Sequence, residues 1–501
     1  MNPSLGTTIS ETPALRATVV AVPLLALGLV LAANISNSIV IVGFLLVVVS
    51  FVLVAAVSRT ARTEAAILGF LLIGYLVGTR GFAQLSIVPP LFVGEVGLAV
   101  CLFFLIGRLA ISRKFGALKI SISRWIAAFF VLATARFIYD YPTYGINALR
   151  DFAIVYYCLF YFIAFELGSD RSSRQFLNRC LTLGFVCQVI VAFMAEFSPE
   201  LLLKVRIGHI PILFQKGDLT ATFSVIGLYI VYLRDKVMGS RWLRRALLLA
   251  LLFTIAYSIA RGAIVALFLV SPFIWLAGRR TFFGYFGLAL IAGVLAFSVA
   301  TIAGVKSATN SELGIFRDKF VSIFDMGDKA QYASEFGEAK ADNNEFREAF
   351  WKTVTTRTTK DNAILGEGFG YDFLPEFERA YGRGSWEGTR SPHNYFVTIY
   401  GRLGLCGLLL LLAIAYLMLR NTLRAATLVR KHALDADVLG FWCATWVLLI
   451  SGTFGVVLEG PMGGILFWSF LGLAASGMAL REPTTPPARA KTLPAQAVLA
   501  R

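Results

Sequence analysis

Charge is scarce in this chain. Charged residues make up 15% of its 501 positions and hydrophobic residues 57%, whereas soluble domains carry about 25% charged and roughly 45–50% apolar residues. A mean hydropathy of +0.73 goes with that balance. A soluble globular enzyme is excluded, and a polytopic membrane protein remains. Histidine is rarer still, with three in the whole sequence: His209, His393 and His432. The six cysteines, Cys101, Cys158, Cys180, Cys187, Cys406 and Cys443, all lie in or beside apolar segments, and none falls in the polar stretch between 305 and 392. That pattern indicates neither a disulfide framework nor a thiolate metal site.

Apolar runs are plentiful. Stretches of roughly 15–22 residues, matched to a bilayer core of about 30 Å, centre near residues 25, 48, 72, 99, 131, 160, 189, 226, 251, 270, 292, 407, 448 and 471. They predict an all-α polytopic membrane protein of about 14 transmembrane helices, in a range of roughly 12–14. The first run, Ala17 to Ala33, is followed by many equally apolar ones and reads as a retained span rather than a signal peptide. No internal repeat of the transporter kind is visible.

The net charge of +16 raises nucleic acid or anionic lipid as partners, and the positions of the charges decide between them. With the N-terminus inside, the inward turns hold about 21 basic residues, including Arg108, Arg174, Arg234 and Arg430, and the short outward turns about six. The excess is therefore a topology signal, so the bilayer is the expected partner and nucleic acid is not. The expected organisation is a cytoplasmic N-terminus over 1–16, a transmembrane bundle over 17–304 and a large outward loop with amphipathic helices over 305–392. Transmembrane helices over 393–480 and a disordered Pro- and Ala-rich cytoplasmic tail over 481–501 follow. In the loop, "ADNNEFREAFWKTV" puts Phe346, Phe350 and Val354 at helical spacing after possible Asn caps, which predicts an amphipathic helix lying on the membrane surface.

Four outward stretches carry polar groups. "AYSIARGAIVALFLV" puts Arg261 between two apolar runs, a depth at which an arginine needs a partner, an anionic ligand, or a path to the headgroups. "FREAFWK" sets Arg347 four residues before Trp351 on one helix face, where simple stacking is the alternative. "AILGEGFGYDF" has Gly366, Gly368 and Gly370 in a spacing more typical of a tight turn than of a phosphate cradle. "RSPHNYFVTIYGRLGLCG" opens a span with His393, which is either a helix-end residue or a functional one.

Together, in order, these stretches resemble the O-antigen ligase and polymerase superfamily. His393-Asn394, nine residues, Gly404, two residues and Gly407 match the signature that closes the family's large loop. Ser258 to Gly262 matches its SxxRG, Arg347 to Trp351 its R…W, "ILGEGFG" its "PLLGVGFG", and "PMGGILFWSFLGL" its final helix. Two departures are Arg402, where many members carry an acidic residue, and Glu367, which replaces a small apolar residue.

The resemblance implies a fold related to the lipid-dependent C-type glycosyltransferases in a bacterial inner membrane. It further implies transfer of a glycan from undecaprenyl diphosphate to a hydroxyl acceptor, lipid A-core or another growing polysaccharide, on the periplasmic face. Arg261 and Arg347 then suit a clamp on the diphosphate, with Arg390 and Arg150 as further candidates. His393 suits the general base, with Glu367 or Asp372 as alternatives. No cofactor is expected. No metal is expected either: the first outward turn is only "NISN", Asn34 to Asn37, without the acidic pair of many lipid-dependent transferases, and Asp435 and Asp437 fall in an inward turn that reads as solvated. A polymerase of lipid-linked repeat units is the nearest alternative. A transporter or flippase of lipid-linked sugars is an alternative of a different class, expected to show broken helices near mid-membrane.

Overall fold

The computed structural model describes residues 62–285 apart from 89–90, 113–114, 235–240 and 259, then residues 287, 335–381 and 390–480. The spans expected near residues 25, 48 and 292, parts of the large loop, and the tail over 481–501 lie outside the described residues. Helices carry almost all of the rest. They are α1 Thr63–Ala83, α2 Val93–Ser112, α3 Ser121–Tyr144, α4 Ile146–Tyr156, α5 Leu159–Ser169, α6 Arg171–Phe197, α7 Pro199–Lys204, α8 Gly217–Leu233, α9 Arg241–Ser258 and α10 Arg261–Leu276. After the gap come α11 Glu335–Asp361, α12 Leu374–Tyr381, α13 Tyr395–Arg430, α14 Ala436–Ser451 and α15 Pro461–Ala479. Two small antiparallel hairpins, β1 Ser86–Val88 with β2 Leu91–Phe92 and β3 Arg206–Ile207 with β4 Ile210–Pro211, sit in short turns.

Among the described residues, seven helical stretches are long and apolar enough to cross a membrane, α4 and α5 together forming one of them, and α8, α10 and α14 are shorter apolar helices. Every residue of α8 from Leu219 to Leu233 is buried, as a helix that is apolar all round must be when neighbours enclose it. It packs with α14, which in turn packs with α15.

The basic residues expected on one side do gather at one end of the bundle. Arg174 Nη2 lies 3.1 Å from both carboxylate oxygens of Asp437, Asn178 donates to the same carboxylate at 3.2 Å, and Arg234 Nη1 donates to Asn178 O at 2.9 Å. Asp437 is thus not a solvated loop residue: the first turn of α14 brings it onto α6, where it pairs with an arginine.

At the opposite end the loop subdomain forms its own small core. Phe346, Phe350 and Val354 of α11 pack against Phe373 and Phe377, with the Phe346 and Phe377 rings 5.1 Å apart and edge-on. The expected amphipathic helix is present, but its apolar face meets α12 and Val397 of α13, so protein takes the place assigned to lipid. It also starts at Glu335. Asn343 and Asn344 are interior residues rather than caps, because the preceding Glu, Ala and Lys residues favour helix and extend it upstream.

A buried ion pair ties this subdomain to the bundle. Arg402, 3% exposed, places Nη2 2.9 Å from Asp151 Oδ2 of α4 and donates from Nη1 to the carbonyls of Gly368 at 3.1 Å and Tyr371 at 2.5 Å. Asp151 also accepts from the Gly370 amide at 2.9 Å, and Asp140 of α3 accepts from the Phe369 amide at 2.7 Å. The glycine-marked stretch is therefore a tight turn that binds two carboxylates of its own chain. Gly368 has φ +92 and a Cβ there would collide with Asp140. Gly404, φ +59, breaks α13, where the next two amides, of Leu405 and Cys406, bond to the carbonyls of Ala363 and Ile364. After the break, the part of α13 from Leu405 to Arg430 is about 39 Å long at 1.5 Å per residue and by itself spans a bilayer core of about 30 Å, so the break falls where bundle and subdomain meet.

Removing one partner of such a pair leaves a buried charge uncompensated. Asp151→Ala is expected to cost about 3–5 kcal/mol, read as a lowered melting temperature of the detergent-solubilised protein. Adding Arg402→Met to it is expected to recover part of that loss.

Candidate active site

The site is built on the connection between α14 and α15, residues 452–460, to which four distant segments attach. The first is the start of α13. Asn394 caps that helix, its Oδ1 accepting from the amides of Phe396 at 3.0 Å and Val397 at 3.3 Å, and the Tyr395 amide donates to Gly452 O at 2.9 Å. His393 is therefore not the capping residue. It stands just outside the helix, half-buried, with φ +56, a left-handed backbone that non-glycine residues hold only under external restraint. Trp351 supplies part of that restraint by donating from Nε1 to Pro392 O at 2.5 Å.

The second segment is α11, from which Arg347 Nη1 donates to Phe454 O at 2.8 Å. Its Nε has no hydrogen-bond partner among the described residues. The third is the start of α10: Gly262 packs against Phe454 and Ser451, which holds Arg261 at the same place. The fourth is the start of α8, where Asp218 lies beside Gly455 and pairs with Lys216 at 3.1 Å. Neither α8 nor α10 has a side-chain cap bond from its N-cap residue, and in the first turn of α8 Asp218 Oδ1 accepts from the Leu219 amide at 2.9 Å.

The electrostatics follow from this crowding. Burial pushes the His393 imidazole down to about 4, helped by Arg347 and Lys216 and opposed by Asp218. Burial also lowers Arg347, which Asp218 counters and Arg261 reinforces. A neutral imidazole thus sits near Arg347, Lys216 and Asp218, with Arg261 close to Arg347. Such a group of cations in a partly desolvated place favours an anion. A cavity lined by Phe193, Glu196, Gln215, Gly217, Tyr257 and Ser258 opens next to it, since Gly217 follows Lys216 and Ser258 closes the helix before Arg261.

The structure brings together His393, Arg261 and Arg347 but not the other candidates. Arg390 donates from Nη2 to Gly370 O at 3.0 Å and lies 3.4 Å from Asp151, so it belongs to the buried tie. Arg150 is exposed on α4. Glu367 takes Asn362 Nδ2 at 3.0 Å and lies 3.7 Å from Arg357, and the exposed Asp372 accepts from the Leu374 amide at the start of α12. Sequence reasoning missed Lys216, Asp218, Ser391 and Glu459. Glu459 accepts from Thr398 Oγ1 at 2.6 Å and from Ser391 Oγ. A single carboxylate in the otherwise apolar "GTFGVVLEGPMGG" was the available signal.

Residues 246–412 match a protein-family model described as O-antigen ligase. The matched stretch holds Arg261, Arg347, the glycine turn and the spacing from His393 to Gly407, and leaves Lys216, Asp218 and Glu459 outside it. No curated protein matches the chain.

Arg347→Gln should raise the His393 pKa from about 4 towards the ordinary 6.5, measured from the pH dependence of imidazole ¹⁵N signals. The unfolded chain binds this proton first, so stability falls as pH drops from about 6.5 towards about 4. The variant should show a smaller fall.

Proposed function

We propose that this chain is a membrane glycosyltransferase of the O-antigen ligase type, acting on a glycan carried by undecaprenyl diphosphate. The supporting observation is the convergence of Arg347, Arg261 and Lys216 around a neutral His393, within or beside the stretch that matches the ligase family. In this reading the cluster faces the periplasm. The acceptor oxygen attacks the anomeric carbon, the bond from that carbon to the diphosphate oxygen breaks, and the lipid diphosphate leaves with the bonding electrons.

Each residue has a separate task. Arg347 and Arg261 stabilise the charge that grows on the departing diphosphate, bidentate guanidinium contacts being suited to phosphate oxygens. His393 takes the acceptor proton. With a pKa of about 4 it is a weak base, but the negative charge of a bound diphosphate offsets Arg347 and Lys216 and strengthens it. A single displacement of this kind inverts the anomeric configuration. The acceptor is a hydroxyl on lipid A-core in a ligase, or on another lipid-linked repeat in a polymerase.

Reconstitution with an undecaprenyl-diphosphate-linked glycan in EDTA tests this. His393→Ala is expected to slow transfer roughly 10²–10⁴-fold, and Arg347→Ala or Arg261→Ala roughly 10²–10³-fold. A ladder of product sizes indicates a polymerase, and a single transfer to an acceptor a ligase. Full transfer by His393→Ala would remove the proposed base, and movement of lipid-linked sugar across the bilayer without transfer would support the transporter.

A further inference from the structure

Glu459 has no part in the reaction just described, yet it is bonded to the segment that holds His393. Its Oε1 accepts from Thr398 Oγ1 at 2.6 Å and its Oε2 from Ser391 Oγ. Ser391 Oγ in turn accepts from the backbone amide of His393 at 3.0 Å. An ionised carboxylate only accepts, so the Ser391 proton points to Glu459 and a Ser391 lone pair to His393. From the His393 amide through Ser391 to Glu459 the bonds run in one direction.

His393 has φ +56, a conformation that lasts only where the surroundings over-determine it. The Trp351 bond holds the carbonyl before His393, and the Gly452 bond holds the amide two residues after it. Among the described residues, Ser391 Oγ is the partner of the His393 amide itself. Its orientation is set by Glu459.

We propose that Glu459 is a positioning residue for His393, acting through Ser391 Oγ to hold the strained backbone that presents the imidazole to the cationic cluster. The proposal rests on the reading of His393 as the base. The charged groups facing Glu459 are Arg402 of α13, Asp151 of α4 and Lys216 before α8. Burial pushes the carboxyl up to about 7, the Thr398 bond, Arg402 and Lys216 pull it down, and Asp151 pushes it up. Above that value the ionised carboxylate takes the Ser391 proton. As pH falls through it, the carboxyl loses the charge that takes the Ser391 proton; Ser391 Oγ can still accept from the His393 amide, but its orientation is no longer fixed by an ionised Glu459, and the hold on His393 loosens.

The test compares transfer by wild type, Ser391→Ala, Glu459→Gln and the double variant between about pH 5 and 9, with imidazole ¹⁵N spectra of each. Each single variant should lose roughly 10–100-fold in kcat while KM stays within about twofold. The double variant should be no slower than the worse single one. The wild-type rate should fall on the acid side of about pH 7, and in both single variants only the fall that comes from protonation of His393 itself should remain. The signals of His393 should move, and those of His209 and His432 should not. Additive losses, an unchanged acid limb, or an unmoved His393 signal would each overturn the proposal. If Glu459→Gln does not fold, Ser391→Ala, which keeps the carboxylate, decides by its acid limb and its His393 signal. A wild type that transfers nothing removes the reaction reading instead, and the His393 signal then decides the positioning role alone.

Discussion

The pairing of Arg402 with Asp151, 2.9 Å apart inside the protein, is the contact on which the whole site end depends. An arginine so buried needs its donors satisfied, and here the remaining ones go to the carbonyls of Gly368 and Tyr371. One guanidinium therefore fixes α13, α4 and the glycine turn against each other. The turn closes the subdomain whose first helix carries Arg347, so the reach of Arg347 to Phe454 is decided by a contact that involves neither residue.

The arginines at this end fall into two groups by their surroundings. Arg136, Arg390 and Arg402 are matched by Asp140 and Asp151. Arg347, Arg261 and Lys216 meet around Asp218. The first group sets two carboxylates against three guanidiniums, so most of its charge is matched internally, and it holds the architecture. The second is positive overall and half-buried, with the Lys216 and Asp218 side chains 31% and 39% exposed, so an anionic ligand gains somewhat more there than it would at an open surface. Arg402, a departure from the pattern the sequence resembles, belongs to the first group, which is why it bears on packing rather than on the proposed chemistry.

Local patterns were legible in the sequence. Apolar runs marked the helices, the basic turns marked one end of the bundle, and the three glycines marked a tight turn. The spacing from His393 to Gly404 was also legible, and Gly404 is the point at which α13 breaks. Contacts between residues remote in sequence were not. Arg402 and Asp151 are separated by 251 positions, and Arg347 and Phe454 by 107, and nothing in the local composition of either stretch announces its partner. The glutamate at 459 escaped notice for the same reason, since its meaning depends on Ser391 and Thr398. The misplaced Asn caps had a different cause: helix-favouring residues upstream outweighed a capping pattern that a shorter helix would have used.

The same cations that suit a diphosphate also suppress the imidazole beside them. Burial and these cations hold His393 near 4, so it is neutral but reluctant to accept a proton. In the proposed reaction a bound diphosphate would change that balance, because its charge would offset Arg347 and Lys216. Base strength is then conditional on the donor being in place. A site arranged in this way does not need a strong base standing exposed to water between turnovers, and the proton acceptor becomes competent at the moment when the leaving group is held.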